Sequence, residues 1–549
     1  MHGLMMETPL LVSELIRHAD RHHGDIEIVS RRVEGDGVHR YGYRDAHRRA
    51  RRLASALGQL GLARAERVGT LAWNGYRHFE LYYAVAGSGA VVHTINPRLF
   101  EDQIVYIANH AEDRVLFFDL SFLALVEKLA SRLATVQHYV LMTERARMPR
   151  DSALPGLLCY EDLIEAGDER YAWPSFDERS AACLCYTSGT TGNPKGVLYS
   201  HRSTILHAYG AALPDVLNVS ARDVVLPVVP MFHVNAWGIP YSAAACGTKL
   251  VFPGPWLDGP RLYELFEAEG VTMSAGVPTV WLGLLQYMDE NRLRFSTLRR
   301  VVIGGSACPP AMMRRFADYG VEVLHAWGMT EMSPLGCVNT LKGKHLALAP
   351  EERFAIRIKQ GRPPFGVDWR IVDEQGRPLP ADGTTFGHLQ VRGPWVLSAY
   401  FKGEGGDPLR EGWFPTGDVA TLDPDGYMQI TDRSKDVIKS GGEWISSIDL
   451  ENIAIAHPAI AEAAVIGVPH PKWDERPIVV AVRKAGAAIT REELLRFYEG
   501  KVAKWWIPDD VVFVEELPHT ATGKLSKLTL RERFAQYRLP EAALRSRGG

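Results

Sequence analysis

Cysteine is scarce in this chain and poorly placed for a metal. Six occur in 549 residues: Cys159, Cys183, Cys185, Cys246, Cys308 and Cys337. None forms a C-x-x-C pair, and none stands near a histidine at zinc-ligand spacing. Buried free thiols in a reducing compartment are the expectation. Cys183 and Cys185 alternate along an apparent strand, so they should share one of its faces. An excess of one charge is lacking too. The 62 basic and 65 acidic residues leave a formal charge of −3, and they are intermixed, with no basic arm for nucleic acid. No apolar run reaches the roughly 18 residues of a membrane span. The N-terminus, MHGLMMETPLLVSELIRHADRHHGD, has no basic stretch followed by an apolar one. It reads as a helix with Leu11, Leu15 and Ile16 at helical spacing. A cytoplasmic location follows as an expectation. Internal repeats and low-complexity linkers are absent.

What is present is the balance of an ordinary globular protein, with 46% apolar and 23% charged residues. Single cores stop growing near roughly 250–300 residues, so two or more domains are expected. Short apolar runs alternate with helical stretches through the first three quarters. Val224–Val229, Thr248–Phe252, Val271–Val277, Arg299–Gly305 and Val321–Trp327 read as buried strands. Arg261–Glu269 and Ala311–Tyr319 read as helices among them. This pattern predicts an α/β fold with parallel-rich sheets covered on both faces. Pro309–Pro310 opens a helix where a missing N–H costs nothing. Around residues 360–430, Gln375–Gly376 and Asp425–Gly426 mark hairpins of a small β-region. Beyond Asp432 a compact α+β unit is predicted. Its strands are Glu462–Pro469, Ile478–Lys484 and Val511–Pro518, and a Thr490/Glu493 capping box precedes LLRFYEGKVAKWW. The expected division is 1–431 for the large N-terminal domain and 432–549 for a small C-terminal one. The charged run Asp432–Asp436 is the candidate hinge.

The strongest chemical signal is YTSGTTGNPKG, Tyr186 to Gly196, which follows the apolar strand AACLC. Glycines let a backbone approach an anion closely, and N–H groups and hydroxyls donate to it. Lys195 adds a compact positive charge. Gly196 stands where a Walker-type loop needs Ser or Thr after its lysine, which disfavours a kinase-like loop. The plain alternative is a polar surface loop without function.

The string resembles the signature loop of the adenylate-forming superfamily: acyl-CoA synthetases, luciferases and peptide-synthetase adenylation domains. Five further motifs stand in the superfamily's order. They are Trp327-Gly328-Met329-Thr330-Glu331, Thr416-Gly417-Asp418, Asp432-Arg433-Ser434-Lys435-Asp436, Lys439-Ser440-Gly441-Gly442-Glu443, and Pro518-His519-Thr520-Ala521-Thr522-Gly523-Lys524. The likeness covers nearly the whole chain. It is greatest to bacterial medium- and long-chain fatty acyl-CoA synthetases and to methylmercaptopropionate–CoA ligases, which share these motifs.

The resemblance implies ATP, Mg²⁺ and coenzyme A as reactants and cofactor, with a carboxylic acid as substrate. Thr187, Ser188, Gly189, Thr190, Thr191, Gly192 and Lys195 would hold the phosphates. Glu331 and Thr187 would supply oxygen to Mg²⁺. Trp327 would stack on adenine, where similar enzymes more often carry Tyr. Gly304, Gly305 and Ser306 would form the facing side of that slot, with His325, Ala326, Gly328 and Thr330 beside it. Asp418 would accept the ribose hydroxyls, with Arg433 near. Lys435, Lys439 and Trp444 would lie on the hinge side of the nucleotide. Lys524 would draw the carboxylate and α-phosphate together. Lys195 and Glu331 join Lys524 as the catalytic set. Each residue also has a bland reading: a helix start for Glu331, core packing for Trp327, a turn cap for Asp418, solvated surface for the lysines.

Two half-reactions are implied: formation of acyl-AMP, then displacement of AMP by a thiol. The small domain would be mobile, turning about Asp432 between them. Gly441, Gly442 and Glu443 would then face the acyl group. The acyl pocket should involve the segment Met231–Trp237, with His233, Val234 and Trp237 as its contacts and Gly238, Val277 and Cys308 tuning its depth. Trp237 matches a gate tryptophan of long-chain enzymes. No acid stands in that segment to hold an ammonium, which argues for an uncharged acyl tail. Three rivals remain. One is a luciferase-like oxygenase, which would consume O₂. Another is a peptide-synthetase module, which would need a carrier domain after Lys524. The third is an inactive binding protein, which would have lost Lys524 or Glu331. A homodimer is the weaker expectation, taken from the long-chain enzymes.

Overall fold

A computed structural model of the protein describes residues 1, 3–35, 37–187, 193–440, 443–519 and 525–540. Among the described residues the strands form four sheets. The first runs, in spatial order, Leu158–Cys159, His138–Leu141, Asp113–Phe118, Arg67–Leu71, Val91–Thr94, Ala181–Tyr186 and Gly196–Ser200. All its neighbours are parallel except the final hairpin. The second runs Leu335–Val338, Glu322–Gly328, Arg300–Ile303, Met273–Gly276, Val224–Pro227, Lys249–Phe252, Glu27–Arg31 and Val38–Gly42. Its core is parallel and both edges are antiparallel. All five strands expected between residues 224 and 327 stand together in it. The two helices expected among them form as Gly259–Glu269 and Pro310–Asp318, each with Pro in its first turn, and Ile239–Cys246 and Pro278–Glu290 stand there as well.

One helix touches both large sheets. Helix Tyr76–Gly87 contacts Val91–Thr94 and Ala181–Tyr186 on one side and Glu27–Arg31 on the other. Every one of its residues is buried, as a helix between two sheets requires. Its charged groups are paired. Arg77 bonds Glu34 and Glu161, and Glu80 accepts from Arg49 and Tyr160. Helix Val12–His23 buries Leu15 and Ile16, as their spacing predicted. Cys183 and Cys185 do share a face, with thiols 3.8 Å apart. Cys246 alone among the cysteines is only half-buried. No described helix is long and apolar enough to cross a membrane.

The third sheet is a four-stranded antiparallel unit: Asp368–Val372, Gly387–Arg392, Phe414–Leu422 and Met428–Arg433. Its hairpins turn at Gly376 and Gly426, where φ is 83° at each. It keeps Asp432 and Arg433 in register with Val419 and Asp418. The last sheet follows at once. Asp474–Arg483 pairs antiparallel with Ile460–His470 and parallel with Asp510–Val514, over its own apolar cluster of Leu450, Val465, Val479 and Tyr498. The Thr490/Glu493 capping box is formed. Its helix is shorter than its apolar sequence suggests: it spans Arg491–Phe497, and Gly500 at φ 75° turns the chain away.

Helix Pro278–Glu290 packs Trp281, which is fully buried, against Phe266 and Phe316. Trp281→Ala is expected to cost about 3–5 kcal/mol, the range for deleting a large buried ring. A denaturant midpoint at or near that of the parent would contradict this packing.

Candidate active site

The phosphate-loop candidate sits in the hairpin that ends the first sheet. Tyr186 stands opposite Gly196. The Thr187 N–H donates to the Lys195 carbonyl at 2.9 Å, and the Lys195 N–H donates to Thr187 Oγ1 at 3.1 Å. These two bonds close the neck of the loop. Ser188, Gly189, Thr190, Thr191 and Gly192 lie outside the described residues. The neck opens on a cleft of about 960 Å³. Of the expected site residues, Thr187, Lys195, His233, Val234, Trp237, Gly304, Gly305, Ala326, Trp327, Gly328, Thr330, Glu331, Arg433 and Lys435 line it.

Glu331 is placed by three contacts. Its carbonyl accepts from the Leu397 N–H, the preceding Thr330 carbonyl accepts from the Tyr199 hydroxyl, and Tyr400 Oη donates to Glu331 Oε1 at 2.9 Å. Burial raises the pKa of its carboxyl above the usual carboxylate range. A nearly buried carboxyl oxygen beside a cleft is suited to a hard cation, whose charge favours the ionised form that burial disfavours. Among the described residues no cluster of three His, Cys, Asp or Glu stands ready for a metal. A cation here would therefore draw its other ligands from a hydroxyl, water and phosphate oxygens, as Mg²⁺ does. Lys195 Nζ lies 4.8 Å from the Tyr400 ring centroid, so Tyr400 bridges the loop lysine and Glu331.

Trp327 is fixed edge-on. Its indole N–H donates to Asp418 Oδ2 at 3.0 Å, and Arg433 Nε pairs with Asp418 Oδ1 at 2.9 Å. Gly336 lies so close beneath the indole that a Cβ there would be 2.4 Å from its ring carbons. Asp418 is buried behind Trp327 and Arg433 instead of forming the cleft wall. The Trp237 ring sits by Gly304, where a Cβ would lie 3.3 Å from Cη2.

Some expected residues are placed elsewhere. Ser306 is exposed beyond the cleft wall. His325 turns its imidazole away, bonding the Ile358 carbonyl through Nδ1 at 2.9 Å and the Cys308 N–H through Nε2 at 3.3 Å. It lines a second cavity with Cys308 and Trp506. That imidazole pins the 304–308 turn to the strand beneath. Lys439 pairs with Glu374, and the Trp444 ring stands 5.6 Å from His388, both on the hairpin Ile438–Ser440/Glu443–Ile445 and off the cleft. Gly441, Gly442 and Lys524 lie outside the described residues, as do Thr520 to Gly523. His519 and Leu525 on either side line the cleft.

Two cleft residues escaped the motif reading. Tyr400 belongs to an unremarked Ala-Tyr-Phe-Lys-Gly stretch and is known only through its contacts. Lys527 stands three residues past Lys524. Burial acts to lower its pKa, but the Glu451 and Asp432 carboxylates outweigh that and leave it raised. Its ammonium bonds Glu451 Oε1 at 2.8 Å and the Ser447 hydroxyl, while Asp432 accepts from the Ser447 N–H at 2.8 Å. This charged knot ties the segment after Lys524 to the candidate hinge.

Comparison with known proteins agrees with this geometry. Residues 15–401 match the AMP-binding enzyme family, and residues 449–524 match the AMP-binding enzyme C-terminal domain. The chain belongs to the AMP-binding enzyme family. It is 58% identical to a 3-methylmercaptopropionyl-CoA ligase of Ruegeria lacuscaerulensis, covering 97% of this chain and 99% of that one. It is 54% identical to a medium-chain-fatty-acid–CoA ligase of Ectopseudomonas oleovorans, over 97% and 98%. A crystal structure of an anthranilate CoA ligase with anthranoyl-AMP superposes with a TM-score of 0.85 at 25% identity, over 96% and 98% of the two chains. The protein is an ATP-dependent, AMP-forming acid–CoA ligase that uses ATP, Mg²⁺ and coenzyme A.

Burial lowers the pKa of His325 to about 4. A histidine held neutral in the fold contributes stability above its ordinary pKa near 6.5. That contribution is lost as pH falls through 6.5 toward about 4. The His325→Gln variant should therefore lose less stability than the parent between pH 6.5 and 4. Equal slopes of unfolding midpoint against pH would contradict the neutral imidazole.

Proposed function

We propose that this ligase activates an uncharged monocarboxylic acid of medium or long chain. The observation that carries the reading is the division of chemistry within one cleft. Thr187, Lys195, Glu331 and Arg433 supply its polar groups. Val234, Trp237, Ala211, Leu217, Val302 and Leu335 supply apolar wall. The described wall holds two carboxylates, Glu331 and Asp436, and neither lies on the segment 231–237. An acid bearing an ammonium would find no counter-ion along that segment.

In the first half-reaction the acid's carboxylate oxygen attacks the α-phosphorus of ATP. A bond from that oxygen to the α-phosphorus forms, the bond from the α-phosphorus to the α–β bridging oxygen breaks, and pyrophosphate leaves with the electron pair. The loop 187–196 with Lys195 holds the phosphates. Glu331 and Thr187 would hold Mg²⁺, which would supply neutralisation of phosphate charge. Trp327 offers its face to adenine opposite Gly304 and Gly305. Asp418 would be the ribose acceptor once nucleotide displaces Arg433, which with the Trp327 N–H holds its two oxygens in the free protein. Lys524 closes over the carboxylate and α-phosphate; the placement of His519 and Leu525 on the cleft wall supports this. In the second half-reaction the thiol of coenzyme A attacks the acyl carbon, a thioester forms, and AMP leaves with the electron pair. Turning of the unit after Asp432 would bring Gly441, Gly442 and Glu443 to the acyl group and carry Lys439 and Trp444 toward the nucleotide. The free thiols support a cytoplasmic setting, and the likeness to long-chain enzymes supports a homodimer.

A second reading has one specific observation in its favour: the 58% identical relative is named for 3-methylmercaptopropionate. That short thioether acid is also uncharged beyond its carboxylate. Pyrophosphate release across straight-chain acids of three to eighteen carbons and 3-methylmercaptopropionate, with and without coenzyme A, separates the two. We expect kcat/KM to rise with chain length to at least eight carbons. A maximum at 3-methylmercaptopropionate would establish the second reading instead, and no acid-dependent release would end both. Lys524→Ala should lower the adenylation rate by about 10²–10³-fold, the scale for losing one charge-stabilising group, while still converting supplied acyl-AMP to thioester. Normal adenylation in that variant would remove Lys524 from the first step.

A further inference from the structure

The acyl-side wall contains a piece of backbone that most side chains avoid. Val234, Asn235, Ala236 and Trp237 have φ of 42°, 54°, 50° and 56°, and Gly238 follows at 74°. With ψ of 43° at both Asn235 and Ala236, this is a turn of left-handed helix. Asn enters that region readily, but Ala, Trp and above all β-branched Val do not. Such a turn persists only where its surroundings over-determine it. Gly238 closes the turn where any Cβ would lie 2.6 Å from the His207 ring.

Asn235 is 2% exposed and Ala236 is fully buried. The Cys183 thiol donates to Asn235 Oδ1 at 3.2 Å, and the Cys185 thiol reaches the same oxygen at 3.6 Å. One thiol is a weak donor; two converging on one buried amide oxygen make a clamp. Both come from Ala181–Tyr186, the strand that runs straight into Thr187. The residues on either side of Asn235 and Ala236 are the ones that face the cleft: Val234 and Trp237.

We propose that Asn235 is a positioning residue for acid selection. The Cys183/Cys185 clamp holds it in the left-handed turn, and the turn holds Val234 and Trp237 against the tail of the bound acid. The same strand thereby sets both the phosphate loop and the acyl wall. This rests on the reading that the tail lies along Trp237, and the test separates the two.

Pyrophosphate release is measured with octanoate and with butyrate, at varied ATP, for the parent, Trp237→Ala, Asn235→Ala, the pair Cys183→Ala/Cys185→Ala and the pair Cys183→Ser/Cys185→Ser. The first three variants should change the octanoate-to-butyrate ratio of kcat/KM by about tenfold, the scale on which an apolar pocket discriminates. Their KM for ATP should stay near that of the parent. The serine pair keeps two donors and should restore the parent ratio. An unchanged ratio in Trp237→Ala would overturn the acyl-wall reading and this proposal together. A changed ratio there, with the parent ratio in the alanine pair, would overturn the clamp alone. Because the cysteine pairs leave Asn235 in place, the proposal is decided even if Asn235→Ala does not fold.

Discussion

The common direction of the parallel strands is the constraint from which the site follows. Four segments of the cleft begin where a strand ends. Thr187 follows Ala181–Tyr186, the segment 231–237 follows Val224–Pro227, Gly304 follows Arg300–Ile303, and Met329–Glu331 follows Glu322–Gly328. In the second sheet parallel pairing points the last three carboxyl ends the same way, the end of Ala181–Tyr186 in the first sheet lines the same cleft, and open α/β sheets bind ligands at such ends. Side chains from residues 187 to 331 thus meet in one cleft although they share no local sequence.

Around that frame, antiparallel pieces do the fastening. The hairpin bonds between Thr187 and Lys195 fix the loop neck. The small third sheet brings Asp418 and Arg433 up to Trp327. The stretch around Tyr400 joins Lys195 to Glu331. The bonds to Asp418 and Glu331 span long chain separations and end on buried carboxylates, where such contacts are strong and costly to leave unmade.

Much of this was legible in the sequence, for identifiable reasons. The five strands from Val224 to Trp327 and two of the helices among them followed from short apolar runs and proline positions, while Ile239–Cys246 and Pro278–Glu290 were not foreseen. The capping box at Thr490 followed from one spacing. Illegible features depended on distant partners. Nothing around His325 shows that its ring faces Ile358 and Cys308 and not the cleft. Nothing around Tyr400 shows Glu331. The left-handed turn at 234–237 runs against the preferences of three of its four residues, so no local rule could have found it. The helix after Thr490 ends at Phe497, and Gly500 at positive φ then turns the chain, although the apolar residues run on past it.

The central claim is that one cleft holds the nucleotide beside Trp327 and the acyl tail beside Trp237. A crystal structure with a non-hydrolysable octanoyl-adenylate analogue tests it most directly. The account predicts adenine on the Trp327 face, ribose hydroxyls at Asp418 and the octanoyl chain along Val234 and Trp237. An octanoyl chain lying elsewhere, with Trp237 packed as in the free protein, would contradict it.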